Sequence, residues 1–407
     1  MRRTTTWSIA LVTSLAISGA TGATVASAAT GTTATVAAGA PAATGTPPTN
    51  PTGDPRTARL LATIEAHLPA DWKARQAAAL DRFGIERSAA QEALERAIDP
   101  TQHQCAPTKL DAYVGGVLAG VDPTIFRMLA GVAAFDYATY DAILFGSQGA
   151  PAYALPKAYV NELSQSFRAA QKFWDTDGSD IRLMAMHGDV MTDPARISQV
   201  LQIVFGVPRP DADAIAGAVV ELVAVDPGLQ GGQSPIFTLN AFAFSAAGET
   251  DPVLARIPDK LVFGDGMLDA LQAIGVGDVG PRAVLGHEYA HHVQYDAGLT
   301  ASPLTGPEAT RRTELMADAF GTYFVTHKRG LALNAARVLE AEQSFFQVGD
   351  CNFDKPGHHG TPNQRLAAST WGWSVAKAAQ KQGHVLPSRT LDAQFEAKLP
   401  ELVAPDA

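Results

Sequence analysis

From residue 57 to about residue 230, apolar residues recur at three- and four-residue spacing, with alanine filling many of the positions between. That period lays one apolar stripe along a helix, and it predicts helices over 57–67, 157–174 and 212–225. Asp122-Pro123 and Asp226-Pro227-Gly228 interrupt the runs, because proline cannot continue a helix and glycine readily ends one. After residue 234 the pattern changes. PIFTLNAFAFS (235–245) and DKLVFGDG (259–266) are rich in β-branched and aromatic residues, and a link holding Gly, Asp and Pro separates them, as it would two sheet strands. Helical spacing returns in MLDALQAIG (267–275). The predicted fold class is α+β and predominantly helical, with a helical region over 57–230 and a second region over 231–400 that carries a small sheet.

The ends of the chain read differently. Arg2 and Arg3 precede an apolar run over 7–17 and then Ala26-Ser27-Ala28, the layout of a secretory signal peptide (1–28) cleaved after Ala28. The run is shorter than the roughly 20 residues of a spanning helix, so no stable membrane anchor is expected after cleavage. Residues 29–56 are almost wholly Ala, Thr, Gly and Pro and read as a disordered linker. The expected location is outside the cell. The formal net charge is -10, and loss of a leader holding Arg2 and Arg3 makes it more negative still. Phosphate binding needs clustered Lys and Arg, so nucleic acid is excluded as a partner. Cys105 and Cys351 are the only cysteines, and an exported chain would join them in a disulfide; two separate buried thiols is the other reading.

GHEYAHHVQY (286–295) places three of the ten histidines in ten positions. Asp278 as N-cap, Pro281 in the first turn and Gly298 after the last turn predict a helix over 279–297. On it, His287 and His291 lie one turn apart on one face, where two imidazole nitrogens reach one ion. Glu288 follows the first histidine. In H-E-x-x-H this carboxylate serves as general base for a zinc-activated water. In TGPEATRRTELMADAF (305–320), Thr305 and Glu308 form a predicted capping box with Pro307 in the first turn, and Glu314 and Asp318 share a face of the helix that follows. A zinc hydrolase wants three protein ligands and one open position; Glu314 can be the third, and Asp318 can orient a ligand histidine. His292 points about 100° away from His291 and reads as a core or capping hydrogen bond. DTDGSD (175–180) fails as a calcium loop, because Ser179 and Asp180 stand where an acidic or amide ligand and then glycine are required, and it reads as a turn.

HEYAHHVQ (287–294), ELMAD (314–318) and HGTPNQR (359–365) together resemble the neutral zinc metallopeptidase family, within the gluzincin-like peptidases whose third ligand is a glutamate. The resemblance covers about residues 235–375. It implies a zincin-like catalytic domain and a secreted Zn²⁺ peptidase acting on peptide or protein substrates, with metal ligands His287, His291 and Glu314 and general base Glu288. It also implies an edge strand at NAFAF along which an extended peptide pairs. His359 either donates a hydrogen bond to the oxyanion, together with Tyr323, or braces the metal helices with Arg365; the two readings stay open. Two other classes share the motifs. One is a non-peptidase zinc amidohydrolase acting on cell-wall material, the other a secreted metal-containing binding protein without catalysis.

Overall fold

A computed structural model describes residues 54–83, 94, 108–252, 254–346 and 360–404. The expected signal peptide, nearly all of the linker, the Cys105–Cys351 pairing and His359 lie outside the described residues. The N-terminal helices are α1 (Pro55–His67), α2 (Trp72–Phe83), α3 (Lys109–Leu118), α4 (Pro123–Gly131), α5 (Tyr137–Phe145), α6 (Val160–Phe173), α7 (Pro194–Phe205) and α8 (Arg209–Val225). Their starts follow local chemistry. Asp54, Asp122 and Asp193 each accept a backbone N–H with proline at the first helical position, so the signal that breaks one run opens the next.

One element in this stretch is not a helix. Arg182–Met186, here β1, is a strand inside the region 57–230 that reads as mostly helical. Its sequence RLMAM consists of good helix formers, so nothing local marks it. The strand is fixed from outside, by parallel pairing with β3 (Lys260–Gly264) in the register Arg182↔Lys260 through Met186↔Gly264. β2 (Ala241–Phe244) pairs antiparallel on the other side of β3, giving the order β1-β3-β2. The sheet thus draws one strand from before residue 230 and two from after it, and the described residues belong to one compact unit.

β2 is an edge. Gly264 N–H donates to Asn240 O (2.8 Å), and alternation along an antiparallel ladder then turns the backbone groups of Phe242 and Phe244 toward β3. Those of Ala241 and Ala243 face away from the sheet. Among the described residues no single helix is long and apolar enough to cross a membrane.

The C-terminal helices are α9 (Asp265–Ala273), α10 (Gly280–Ala297), α11 (Pro307–Thr326), α12 (Ala335–Phe346), α13 (Pro362–Gln382) and α14 (Ser388–Leu402). α10 is enclosed: from Gly280 to Gln294 only Arg282 is not buried, and α6, α11, α12 and the strand β2 pack around it. Gly298 ends it in the left-handed conformation (φ 66°). Asp278 does not cap it; the N-cap is Val279, and Asp278 is drawn off by Arg337 (2.6 Å). Likewise α11 begins at Pro307, but its N-cap is Gly306 (φ 59°, ψ -141°) and the Thr305–Glu308 box does not form. Glu308 pairs with Arg311 instead.

Candidate metal centre

Glycine sets how closely the two ligand helices approach. A β-carbon at Gly321 would stand 2.7 Å from the His287 amide nitrogen, and one at Gly286 would stand 2.7 Å from Val325 Cγ1. Two crossing backbones therefore meet at the first histidine. On α13, Gly372 abuts the backbone of Ala319 in the same way, which brings the third helix against the second.

This crossing gathers His287, His291 and Glu314, all buried, with one ligand atom of each within 4.8 Å of the others. His287 Nε2 lies 3.1 Å from His291 Nε2, and each of these nitrogens lies 3.6 Å from a Glu314 carboxylate oxygen. Two imidazole nitrogens and one carboxylate suit zinc, which takes such donors at about 2.0–2.2 Å. Glu288, next to His287, is buried on the same helix.

The far ring nitrogens are held as well. His287 Nδ1 lies 2.9 Å from Asp318 Oδ1. Arg365 of α13 grips that carboxylate with a fork, Nε to Oδ2 and Nη2 to Oδ1, both 2.8 Å, and its Nη2 also lies 3.4 Å from Glu314. Burial works to raise the Asp318 carboxyl, but the Arg365 guanidinium and His287 outweigh it and hold the group down to about 2. Burial pushes His287 below the ordinary imidazole range despite Asp318, favouring the neutral ring that ligation requires. Gln294, the last residue of HEYAHHVQ and given no role by the sequence, braces the second histidine: His291 Nδ1 lies 3.2 Å from its Oε1, while its amide N–H donates to Thr313 O on α11 (2.9 Å).

His292 faces elsewhere. Its Nε2 lies 2.9 Å from Lys260 O on β3 and its Nδ1 3.4 Å from Asp259, so it ties α10 to the sheet. The Lys260 ammonium is itself buried and donates to Ala142 O (2.9 Å), Ile143 O (2.6 Å) and Gly146 O (2.8 Å), closing the end of α5. Burial pushes Lys260 down to about 8. Tyr323 does not join the site: it is fully buried, packed on Phe173 and Trp174, and its hydroxyl accepts the Leu386 N–H (2.9 Å).

Glu342 of α12 adds a carboxyl that the motifs do not reveal. It is 3 % exposed, and its Oε2 has no hydrogen-bond partner among the described residues. Burial first, and the Asp318 charge second, push it well above the usual carboxylate range. Glu288, Glu314 and Asp318 are three buried carboxylates of this centre; Arg365 reaches Glu314 and Asp318, while Arg311 pairs with Glu308.

Compared with known proteins, the chain matches no protein-family model, no curated protein sequence and no solved structure.

Proposed function

We propose that this chain is a secreted zinc peptidase with a zincin-like catalytic domain, in which His287, His291 and Glu314 are the metal's protein ligands and Glu288 is the general base. The observation that carries the reading is the buried set of two imidazole nitrogens and one carboxylate beside a second carboxylate. Zinc, when bound, supplies a Lewis acid for the scissile carbonyl and lowers the pKa of water. Glu288 takes the proton of the attacking water on its carboxylate and returns it to the leaving amine. Asp318 and Gln294 each accept the Nδ1–H of a ligand histidine, which leaves both Nε2 lone pairs directed at the ion.

Ala241 and Ala243 of the edge strand β2 turn their backbone groups away from the sheet, where an extended peptide would add as a strand; at 2 % and 8 % exposed they are covered, so such pairing requires that edge to be uncovered. A purely structural metal is disfavoured by the donor set. Among the described residues the group has three ligands, His292 is engaged by Lys260 O, and a structural site closes with a fourth.

The experiment is cleavage of a disordered protein by the zinc-loaded chain and by Glu288→Gln, with metal content measured on both. Loss of cleavage by on the order of a hundredfold or more in a variant that keeps its zinc is expected. Equal activity in the two, or no hydrolysis by either metal-loaded form, would sink the peptidase reading.

A further inference from the structure

His187 follows the last residue of β1 and Asp265 follows the last residue of β3, so parallel pairing sets the two side by side at the carboxyl ends of the strands. His187 Nδ1 lies 2.7 Å from Asp265 Oδ2, and its Nε2 lies 3.0 Å from Ala154 O. Both partners are acceptors. A carbonyl oxygen can only accept, so Nε2 carries a proton; between aspartate and imidazole the proton of the other contact rests on the ring, the weaker acid once protonated. Serving both contacts therefore takes an imidazolium. Ala154 belongs to the connection 147–159 between α5 and α6. Among the described residues, the backbone–backbone bonds of this connection stay within it or reach the first turn of α6. Its hydrogen bonds to the rest of the fold come from two places: the Tyr153 hydroxyl, which donates to Asp141 (2.8 Å) and accepts from Arg196, and the His187 ring at Ala154.

We propose that His187 is a pH-operated latch: doubly protonated, it clamps the connection between α5 and α6 onto the ends of β1 and β3, and on losing one proton it lets go of Ala154. The proton that stays is the one shared with the Asp265 carboxylate, because a charge-assisted hydrogen bond is the stronger of the two. Nε2 then turns a lone pair toward a carbonyl oxygen, and the contact opens. Behind the latch lies a cavity of about 140 Å³ whose walls include His187, Asp141, Tyr153 and Arg196, so release widens its mouth. The charged and titratable groups that face the ring are Asp265 on α9, Asp189 in the turn after β1 and, across the cavity, Asp141 of α5, Tyr153 of the connection, and Asp193 and Arg196 at the start of α7. The Asp265 hydrogen bond outweighs burial and raises the ring above the ordinary imidazole range, with Ala154 O and Asp189 adding to it. The latch is thus fully closed below about pH 6.5, the unfolded value, and is lost as the pH rises through the higher folded one. Release is passed on to α6, whose Glu162 pairs with Arg282 of α10 (2.9 Å) and whose Phe167 ring meets Tyr289 of α10 edge-on at 5.8 Å. The inference stands apart from the peptidase reading.

The test is a pH titration of the full chain by NMR, following the two His187 ring nitrogens and the backbone amides of Ala154, Leu155, Lys157 and Ala158. Both ring nitrogens are expected to be protonated at the acid end, with a midpoint above about 6.5, and the four amides are expected to shift with that same midpoint. Asp265→Asn should lower the midpoint by about 1 pH unit or more and carry the amide transition down with it. His187→Gln, which cannot titrate, should abolish the amide transition. A ring whose Nε2 bears no proton at the acid end, amides that do not follow the ring, or an amide transition that persists in His187→Gln overturns the latch. Thermal melting shows whether each variant is folded, and the wild-type titration alone decides the matter where one is not.

Discussion

Gly321 on α11 lies against the backbone of His287 on α10 so closely that a β-carbon there would stand 2.7 Å from the His287 amide nitrogen. Neither side of this contact is a flexible side-chain tip, so a methyl group must push the helices apart. Gly321→Ala gains up to about 1 kcal/mol in helix propensity and loses about 1–3 kcal/mol to overpacking, so net destabilisation is expected, with weaker zinc binding. Gly217→Ala on α8 is the control. Nothing lies within 4 Å of its added carbon, and it should stabilise by roughly 0.5–1 kcal/mol. Urea denaturation of both variants and zinc titration of Gly321→Ala check this; a stabilised Gly321→Ala with wild-type zinc affinity would show that the helices can give way.

Asp318 stands between His287 and Arg365, and its removal should be felt at a metal it does not touch. Asp318→Asn is expected to cost about tenfold to a hundredfold in zinc affinity, measured by competition with a chelator. The same carboxylate contributes to acid stability. Its folded pKa, about 2, lies below the unfolded value near 4, so its stabilisation is complete above about pH 4 and is lost as the pH falls from there toward 2. Asp318→Asn should lack that part of the acid limb. A variant with unchanged zinc affinity would mean that His287 is oriented by something else.

Much of the centre was legible because helical spacing is a local property. His287 with His291, and Glu314 with Asp318, are each four residues apart, and a single turn brings each pair onto one face whatever surrounds the helix. The strands 241–244 and 260–264 were legible for a similar reason, since their aromatic and β-branched residues differ from the Ala-rich helices before them. β1 was not, because Leu, Met and Ala carry no strand signal and only pairing with β3 holds them extended. Gln294 and Glu342 were illegible for another reason. Gln294 closes the HEYAHHVQ motif without a role attached and an isolated Glu on a helix reads as solvated surface, and the burial that gives each its role comes from packing between helices distant in sequence.

The outward backbone groups of Ala241 and Ala243 allow substrate pairing to be separated from folding. Proline is tolerated in an edge strand where its missing N–H would face outward. Ala243→Pro should therefore keep the fold and the zinc while losing one hydrogen bond to an extended peptide, raising KM roughly threefold to tenfold. Phe242→Pro, one residue away, removes a bond to β3 and should destabilise the whole protein. Steady-state kinetics, metal content and thermal melting of the pair settle the point. If Ala243→Pro cleaves with unchanged KM, the peptide does not pair with β2.

Glu342 predicts a pH dependence of opposite sign. Its folded pKa lies well above the usual carboxylate range, while in the unfolded chain it titrates near 4.3. Below about pH 4 the carboxyl is protonated in both states and takes nothing from stability. As the pH rises past that value the unfolded state releases its proton and the folded state keeps it. Folding then weakens by about 1.4 kcal/mol for each pH unit, until the folded pKa is reached. Glu342→Gln cannot titrate and has nearly the same shape. In metal-free protein it should match the wild type within about 0.5 kcal/mol at pH 4 and exceed it increasingly as the pH rises from there toward 7, read from urea midpoints. Zinc should narrow the gap, because its charge favours the ionised carboxylate. Parallel pH curves for the two metal-free proteins would mean that the Glu342 carboxyl titrates alike in the folded and unfolded states, and that its burial does not hold the proton.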